Sequence, residues 1–210
     1  MGLKSLLTRI LPGEVVDEFR QLRALDRGPR RQWIRLAIGR LAGSRSSLRI
    51  PTPLPLQPLV VVLCYGNVYR SPMAEALLSS ALDAEAPGRF SVSSAGLRAQ
   101  DGRESPADAV AAAGERGIEL STHRATRLNC QVARAADVIV IMDRANEAIL
   151  FSEFPGTTNK TVLLGAWDPR SDHLGVVIDD PYGQGLPAVR DCYDRIERSA
   201  DALAKELARA

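Results

Sequence analysis

Apolar and polar positions change rhythm once along this chain, near residue 58. Upstream, apolar residues recur every three or four positions: Leu3, Leu6, Leu7 and Ile10, then Val15, Val16, Phe19 and Leu22, then Trp33, Ile34, Ala37, Ile38 and Leu41. That period predicts two or three short amphipathic helices, broken near Pro12-Gly13 and Gly28-Pro29. Downstream, apolar runs alternate with helical stretches. Leu59 to Leu63 and Asp137 to Met142 read as strands buried on both faces, like the central strands of a parallel sheet. Phe90 to Ser94 and Thr161 to Leu164 read as two more strands, and Pro72 to Ala84, Ala107 to Gly117 and Leu186 to Ala208 as helices. Strand and helix in alternation predict an α/β fold with helices on both faces of the sheet.

The break between the two rhythms is rich in proline. Pro51, Pro53, Pro55 and Pro58 block helix propagation and favour extended backbone. The expected organisation is therefore a helical extension over 1–45, a linker over 46–58 and one α/β domain over 59–210. Charge divides at the same place. Residues 1–57 carry eleven Lys or Arg against four acids, near +7, and residues 58–210 carry sixteen against twenty-one, near −5. The 210 residues are 45% apolar and 25% charged, which is ordinary globular usage and excludes a rod, a collagen or a wholly disordered chain. Three cysteines, Cys64, Cys130 and Cys192, form no C-x-x-C pair, so neither a disulfide framework nor a zinc knuckle is expected. Arg9 and Pro12 interrupt any secretory apolar core, Leu6 breaks the myristoylation pattern after Gly2, and no run approaches the ~20 apolar residues of a membrane span. A reducing, cytoplasmic setting is the expectation.

The chemistry concentrates in Cys64-Tyr65-Gly66-Asn67-Val68-Tyr69-Arg70-Ser71-Pro72, at the junction of the first strand and the first helix of the domain. Ligands of open α/β sheets bind at the carboxyl ends of strands. A loop entering a helix N-terminus presents several backbone N–H groups to one point, and with the helix dipole these make an anion site. Arg70 adds a planar fork suited to phosphate oxygens. The same field stabilises a thiolate, so Cys64 is the candidate nucleophile. Gly66 lets the backbone close on a ligand, and Asn67 tolerates a left-handed conformation. With twenty-four arginines in the chain the bare spacing of Cys64 and Arg70 carries little weight; the buried strand before and the Ser-Pro helix start after carry more. Phosphate ester cleavage also needs a proton donor for the leaving oxygen. Asp168-Pro169 and Asp180-Pro181 both qualify by spacing, and both also suit an ordinary Asp-Pro turn.

These motifs resemble the low molecular weight protein tyrosine phosphatases. The resemblance runs from about Val60 to the C-terminus and rests on C-x-G-N-x-x-R-S-P-M-A-E from Cys64, Ser93-Ser94-Ala95-Gly96, Gly117 to His123, Ile141-Met-Asp143 and Asp180-Pro-Tyr-Gly183. It implies a three-layer fold with a four-stranded parallel sheet, and phosphotyrosine hydrolysis in proteins through a phosphocysteine on Cys64, without metal or other cofactor. Arg70 would bind the phosphoryl oxygens and Asp180 would act as the acid. Tyr65, Gly66, Asn67, Val68, Tyr69, Ser71 and Tyr182 would line the substrate site, Ser71 would bond the thiolate, and Asn67 with Ser94 would hold the loop. Its implied partner is a phosphotyrosine protein, with a tyrosine kinase among the candidates. Tyr69 departs from the family, standing where many members carry a second cysteine. No aromatic residue occurs in Gly96 to Gly102, so Tyr65 and Tyr182 are the expected aromatic walls. His123 reads as a loop-bonding histidine, and Cys130 and Cys192 as core thiols on helices.

Two other readings are weighed beside this one. An arsenate reductase on the same fold would need a relay of further thiols, and a phosphate-binding module would keep the cradle without turnover. The extension suits docking on an acidic partner, an anionic membrane surface or a second copy of the chain, or simply packing on the α/β domain. Nucleic acid is not expected, because no aromatic platform accompanies the arginines.

Overall fold

The computed structural model describes residues 22, 25–41, 46–171 and 176–210. Four parallel strands, β1 (Leu59–Cys64), β2 (Ser91–Gly96), β3 (Val138–Ile141) and β4 (Thr161–Leu163), lie in the order β2-β1-β3-β4. Six α-helices among the described residues complete the architecture: α1 (Arg27–Leu41), α2 (Arg70–Glu85), α3 (Ala107–Gly114), α4 (Cys130–Ala135), α5 (Arg144–Glu153) and α6 (Leu186–Arg209). The α/β fold and its four-stranded parallel sheet are as expected.

Strand pleating sends alternate residues to opposite faces, and each face has its own core. Val60, Val62, Val138, Val140 and Val162 pack with Met73, Leu78 and Leu82 of α2, Ala109 and Ala112 of α3, and Val189, Tyr193, Ile196 and Leu203 of α6. Val61, Leu63, Ile139, Ile141 and Leu163 face the other way, onto Ala148, Ile149, Leu150 and Phe151 of α5, Ala133 of α4 and Leu25. Both faces of β1 and β3 are buried, which explains their unbroken apolar runs.

The extension packs against this second face. Trp33 and Leu36 of α1 lie on the α5 core, and a β-carbon on Gly28 would meet the Ser152 hydroxyl at 3.0 Å. This corrects the apolar stripe expected from the sequence, because Ile34 (45% exposed) and Ile38 (62%) face outward. A buried ion network sets the rotation of α1: the Glu147 carboxylate, on α5, accepts from Arg40 (3.3 Å), Arg144 (3.0 Å) and the Ser47 hydroxyl (2.5 Å). Arg40 therefore takes an inward position that a purely apolar stripe would give to isoleucine. The expected linker is anchored at several points, with Ser47 on Glu147 and Ile50 and Leu54 against the first core. The stripes over Leu3 to Ile10 and Val15 to Phe19 lie outside the described residues.

Helix α2 begins at Arg70, two residues before Pro72, and α3 ends at Gly114 rather than Gly117, whose φ of +71° closes the turn beyond it. No helix among the described residues is long and apolar enough to cross a membrane. Removing one partner of a buried ion network leaves the others uncompensated. Glu147→Ala is expected to cost about 3 kcal/mol, measured by urea denaturation, with amide exchange rising first in α1; an unchanged midpoint would show that α1 is held by apolar contact alone.

Candidate active site

Strand β1 delivers Cys64 to the carboxyl edge of the sheet, and the chain then turns through Tyr65 to Tyr69 into α2. No side chain caps that helix, so its first N–H groups are not spent on a cap. The sulfur of Cys64 accepts from the Asn67 N–H (3.2 Å) and lies 3.1 Å from Ser71 Oγ. Asn67 Nδ2 donates to that same Ser71 oxygen (2.9 Å), which leaves the hydroxyl hydrogen for the sulfur in preference to the Ala95 carbonyl at 3.4 Å. Two donors therefore converge on sulfur.

Asn67 fixes the shape of the loop. Its φ is +54°, the one left-handed non-glycine residue among those described. Its amide donates to Ser94 (2.9 Å) as well as Ser71, its Oδ1 accepts from the Thr126 N–H (2.9 Å), and its own carbonyl lies 2.8 Å from His123 Nε2. His123 thus bonds the loop, as its reading from the sequence proposed. Gly96 supplies the space: a β-carbon there would come within 3.0 Å of the Asn67 nitrogen and the Gly66 carbonyl carbon. The Ser-Ala-Gly stretch carried this signal, although no role was assigned to the glycine.

Arg70 is 1% exposed. One terminal nitrogen donates to Asp143 (2.6 Å) and to the Ile178 carbonyl (2.9 Å), the other to Asp180 (2.7 Å), and Nε has no partner among the described residues. Burial opposes its charge, but Asp143 and then Asp180 outweigh that and hold the guanidinium above even its ordinary pKa. The strap bearing Asp180 is tied to the sheet by Ile178 N–H to the Met142 carbonyl (2.9 Å). It crosses where Gly165 leaves room, since a β-carbon there would stand 2.5 Å from the Val176 oxygen.

Both Asp-Pro candidates make the turn bond expected of them: Asp168 accepts from the Arg170 N–H (3.0 Å) and Asp180 from the Tyr182 N–H (3.3 Å). Their remaining partners separate them. Asp168 is buried against Arg198 (3.0 Å) and Arg195 (3.6 Å), away from the cysteine loop, whereas Asp180 reaches Arg70.

Cys64, Tyr65, Gly66, Val68, Tyr69, Arg70, Asp180 and Tyr182 line one cavity of about 200 Å³, so the residues expected at the site from the sequence come together, with Asn67, Ser71 and Ser94 in its supporting shell. Tyr69 is buried and donates to Asp108 (2.7 Å). Burial and then that carboxylate push its phenol well above the usual tyrosine range, so it stays a donor. Its ring meets Tyr182 edge-on at 6.0 Å, and Tyr65 stands exposed at the rim. Arg103, on the same cavity wall, was missed, as were Asp108, Asp143 as the partner of Arg70, and the Ile178 carbonyl. Cys192 is buried under the strap, and burial pushes its thiol up to about 12. Cys130 corrects an expectation: it is exposed at the start of α4, a six-residue helix that turns Val132 and Ala133 to the core.

With this geometry in hand, a family model described as low molecular weight phosphotyrosine protein phosphatase matches residues 59–210. The chain is 36% identical over 143 residues to a probable low molecular weight protein-tyrosine-phosphatase, EpsP, of Ralstonia solanacearum, covering 68% of this chain and 91% of that protein. Among solved structures it resembles the YwlE arginine phosphatase of Geobacillus stearothermophilus (TM-score 0.62, 31% identity, 73% of this chain and 93% of that one). It also resembles the tyrosine phosphatase Wzb of Escherichia coli K30 in complex with sulphate (TM-score 0.63, 29% identity, 71% and 97%).

The two aspartates are separable by experiment. Burial opposes the charge of Asp168, but Arg198 and the Arg170 N–H outweigh it and hold the carboxyl below its ordinary pKa. Its contribution to stability is then complete above pH ~4 and is lost as pH falls through the lower folded value. Asp168→Asn is expected to lower the melting temperature at pH 7 and to flatten its decline below pH ~4, with turnover per folded molecule retained. A steep loss of turnover at full stability would move the acid role to Asp168.

Proposed function

The chain belongs to the low molecular weight phosphotyrosine protein phosphatase family, and from that premise we propose which residue carries each step of its phosphotyrosine hydrolysis. The Cys64 thiolate attacks phosphorus as the P–O bond to the tyrosine breaks, and Asp180 gives its proton to the departing phenol oxygen. Water then attacks the phosphocysteine, Asp180 takes a proton from it, the S–P bond breaks, and inorganic phosphate leaves with the thiolate restored. The observation that carries this assignment is the contact of both reacting side chains with one cavity whose floor is Arg70. The free Nε of Arg70 and its nitrogen on Asp180 supply two donors for phosphoryl oxygens. As phosphate takes over that second nitrogen, the Asp180 carboxyl is released from Arg70 and is free to meet the leaving oxygen.

The walls favour an aryl ester over a phosphoguanidine of the kind the Geobacillus relative acts on. Tyr65, Tyr69 and Tyr182 are aromatic surfaces for a ring, whereas a guanidinium leaving group would meet the like charge of Arg103. Arsenate reduction gains no support from the other thiols: Cys192 resists ionisation in its buried place, thiolates carry such relays, and Cys130 is exposed on α4 and does not line the cavity. Cytoplasmic residence belongs to the same reading, because Cys64 acts as a thiol and a reducing compartment keeps it one. A tyrosine kinase is among the phosphoproteins it admits as substrate.

The basic extension has a docking role in this reading. Its helix turns Arg27, Arg31, Arg35, Ile34 and Ile38 outward, a face suited to an acidic partner or an anionic surface. Arg31→Glu combined with Arg35→Glu should reduce cosedimentation with anionic vesicles or change oligomer mass; identical behaviour in both would remove that role.

Cys64→Ser is expected to reduce turnover to background. Asp180→Asn should lower kcat by roughly 10²- to 10⁴-fold on phosphotyrosine peptides and by less on para-nitrophenyl phosphate, whose leaving group departs with little help. The basic-side protonation limb of the kcat profile should disappear with it. Equal losses on both substrates would remove Asp180 from the acid role.

A further inference from the structure

The catalytic domain is acidic overall, yet the mouth of its cavity holds a cation that no carboxylate pairs among the described residues. Arg98 is paired with Glu153, Arg124 with Glu104, and Arg70 with Asp143 and Asp180. Arg103 has no carboxylate within ion-pair distance among the described residues. Its guanidinium lies 5.5 Å from the centre of the Tyr182 ring, and one terminal nitrogen reaches the Tyr182 hydroxyl at 3.3 Å. A guanidinium offers five N–H donors, and that contact uses one.

The backbone beneath Arg103 is fixed. Its N–H donates to the Gln100 carbonyl (3.1 Å), its carbonyl accepts from the Ala125 N–H (2.9 Å), and the next residue, Glu104, bridges Arg124 across an antiparallel pair. The side chain is thus presented from a braced segment, beside an aromatic wall and exposed to solvent. Asp180 is the carboxylate that shares its cavity, and it is held by Arg70.

We infer that Arg103 is a specificity-determining residue that selects phosphotyrosines with a second anionic group, a carboxylate or another phosphate, one or two residues away in the substrate. The inference rests on the phosphotyrosine reading given above. With the phosphoryl group at Cys64 and Arg70, the substrate ring lies among Tyr65, Tyr69 and Tyr182, and the peptide backbone emerges at the rim. Neighbouring residues there are 3.8 Å apart from one Cα to the next, within reach of a long arginine over Tyr182. Residues 58–210 carry twenty-one acids against sixteen basic residues, so a cation at the mouth of the cavity gives an acidic peptide a local attraction there. Asp101 and Glu104 flank the same segment, but Asp101 accepts from the Arg127 N–H and Glu104 is paired with Arg124.

The test compares kcat/KM for three synthetic phosphotyrosine peptides: one with aspartate beside the phosphotyrosine, one with a second phosphotyrosine there, and one with alanine. Wild type should prefer the aspartate peptide over the alanine peptide by about three- to fivefold, as an exposed ion pair allows. The preference should be larger for the second phosphotyrosine and should shrink at 0.5 M salt. Arg103→Gln should bring both ratios near one, Arg103→Glu should invert them, and Arg103→Lys should keep part of them. Preference for the aspartate peptide identifies a carboxylate as the second anion, and preference confined to the doubly phosphorylated peptide identifies a phosphate. Equal rates on all three peptides in wild type overturn the inference alone, as does a uniform loss in Arg103→Gln with the ratios intact, which would make Arg103 a prop for Tyr182. No hydrolysis of any peptide by wild type overturns the phosphotyrosine reading itself, and the inference with it.

Discussion

A guanidinium stripped of water costs several kcal/mol unless its charge is met inside the protein, and Arg70 is such a group. Three separate parts of the chain converge to meet it. The end of β3 supplies Asp143, the strap before α6 supplies the Ile178 carbonyl and Asp180, and the cysteine loop supplies the arginine itself. Asp143 has a second duty, because its other oxygen accepts from the Asn146 N–H (2.7 Å) and caps α5. One carboxylate thus joins the sheet, a helix of the second layer and the cation at the base of the cavity. The cradle around Cys64 is held in register by what surrounds Arg70 as much as by its own amides.

The elements that carry this arrangement were legible where a single physical cause dominated. Burial on both sides made β1 and β3 readable, and a 24-residue amphipathic stretch made α6 readable. Helix α5 escaped because Arg144, Asn146 and Glu147 are buried polar residues. A periodicity argument counts them as solvent-facing, and only their partners on other elements reverse that. The same network misled the reading of α1, where Arg40 points inward and Ile34 and Ile38 do not. At the site, Cys64 and Arg70 stand in one continuous motif, so spacing and context sufficed. Asp180 and Asp168 are each one of a pair of like dipeptides that make the same turn bond, and their difference lies wholly in long-range neighbours. Arg103 belonged to no motif and became visible only through its position over Tyr182.

The extension gains a structural meaning from Glu147. That residue lies four positions beyond Asp143 and on the same helix, and it is held from three sides by Arg40, Ser47 and Arg144. The contacts of α1 and of the 46–48 turn therefore bear on the helix whose first turn is capped by the partner of Arg70. What touches the outward face of α1 is connected to the base of the cavity through packed groups, without any large movement being required. That connection is spatial, running from Arg40 to the Glu147 carboxylate and from the Glu147 N–H to the Asp143 carbonyl.

The two carboxylates on Arg70 are unequal, and the inequality explains how one cation serves both structure and chemistry. Asp143 is 3% exposed and caps a helix, so its release would leave a buried charge and an uncapped α5 together. The side chain of Asp180 is 44% exposed and sits on a turn, so water can solvate it when Arg70 turns to another anion. In the proposed reaction an incoming phosphoryl group competes for the guanidinium with Asp180 rather than with Asp143. Binding in that reaction then performs two acts at once: it places phosphorus before the sulfur, and it releases the Asp180 carboxyl from Arg70. Were both carboxylates equally buried, phosphate would be left with Nε of Arg70 and no terminal nitrogen; were both equally exposed, Arg70 would have no fixed direction from which to hold it.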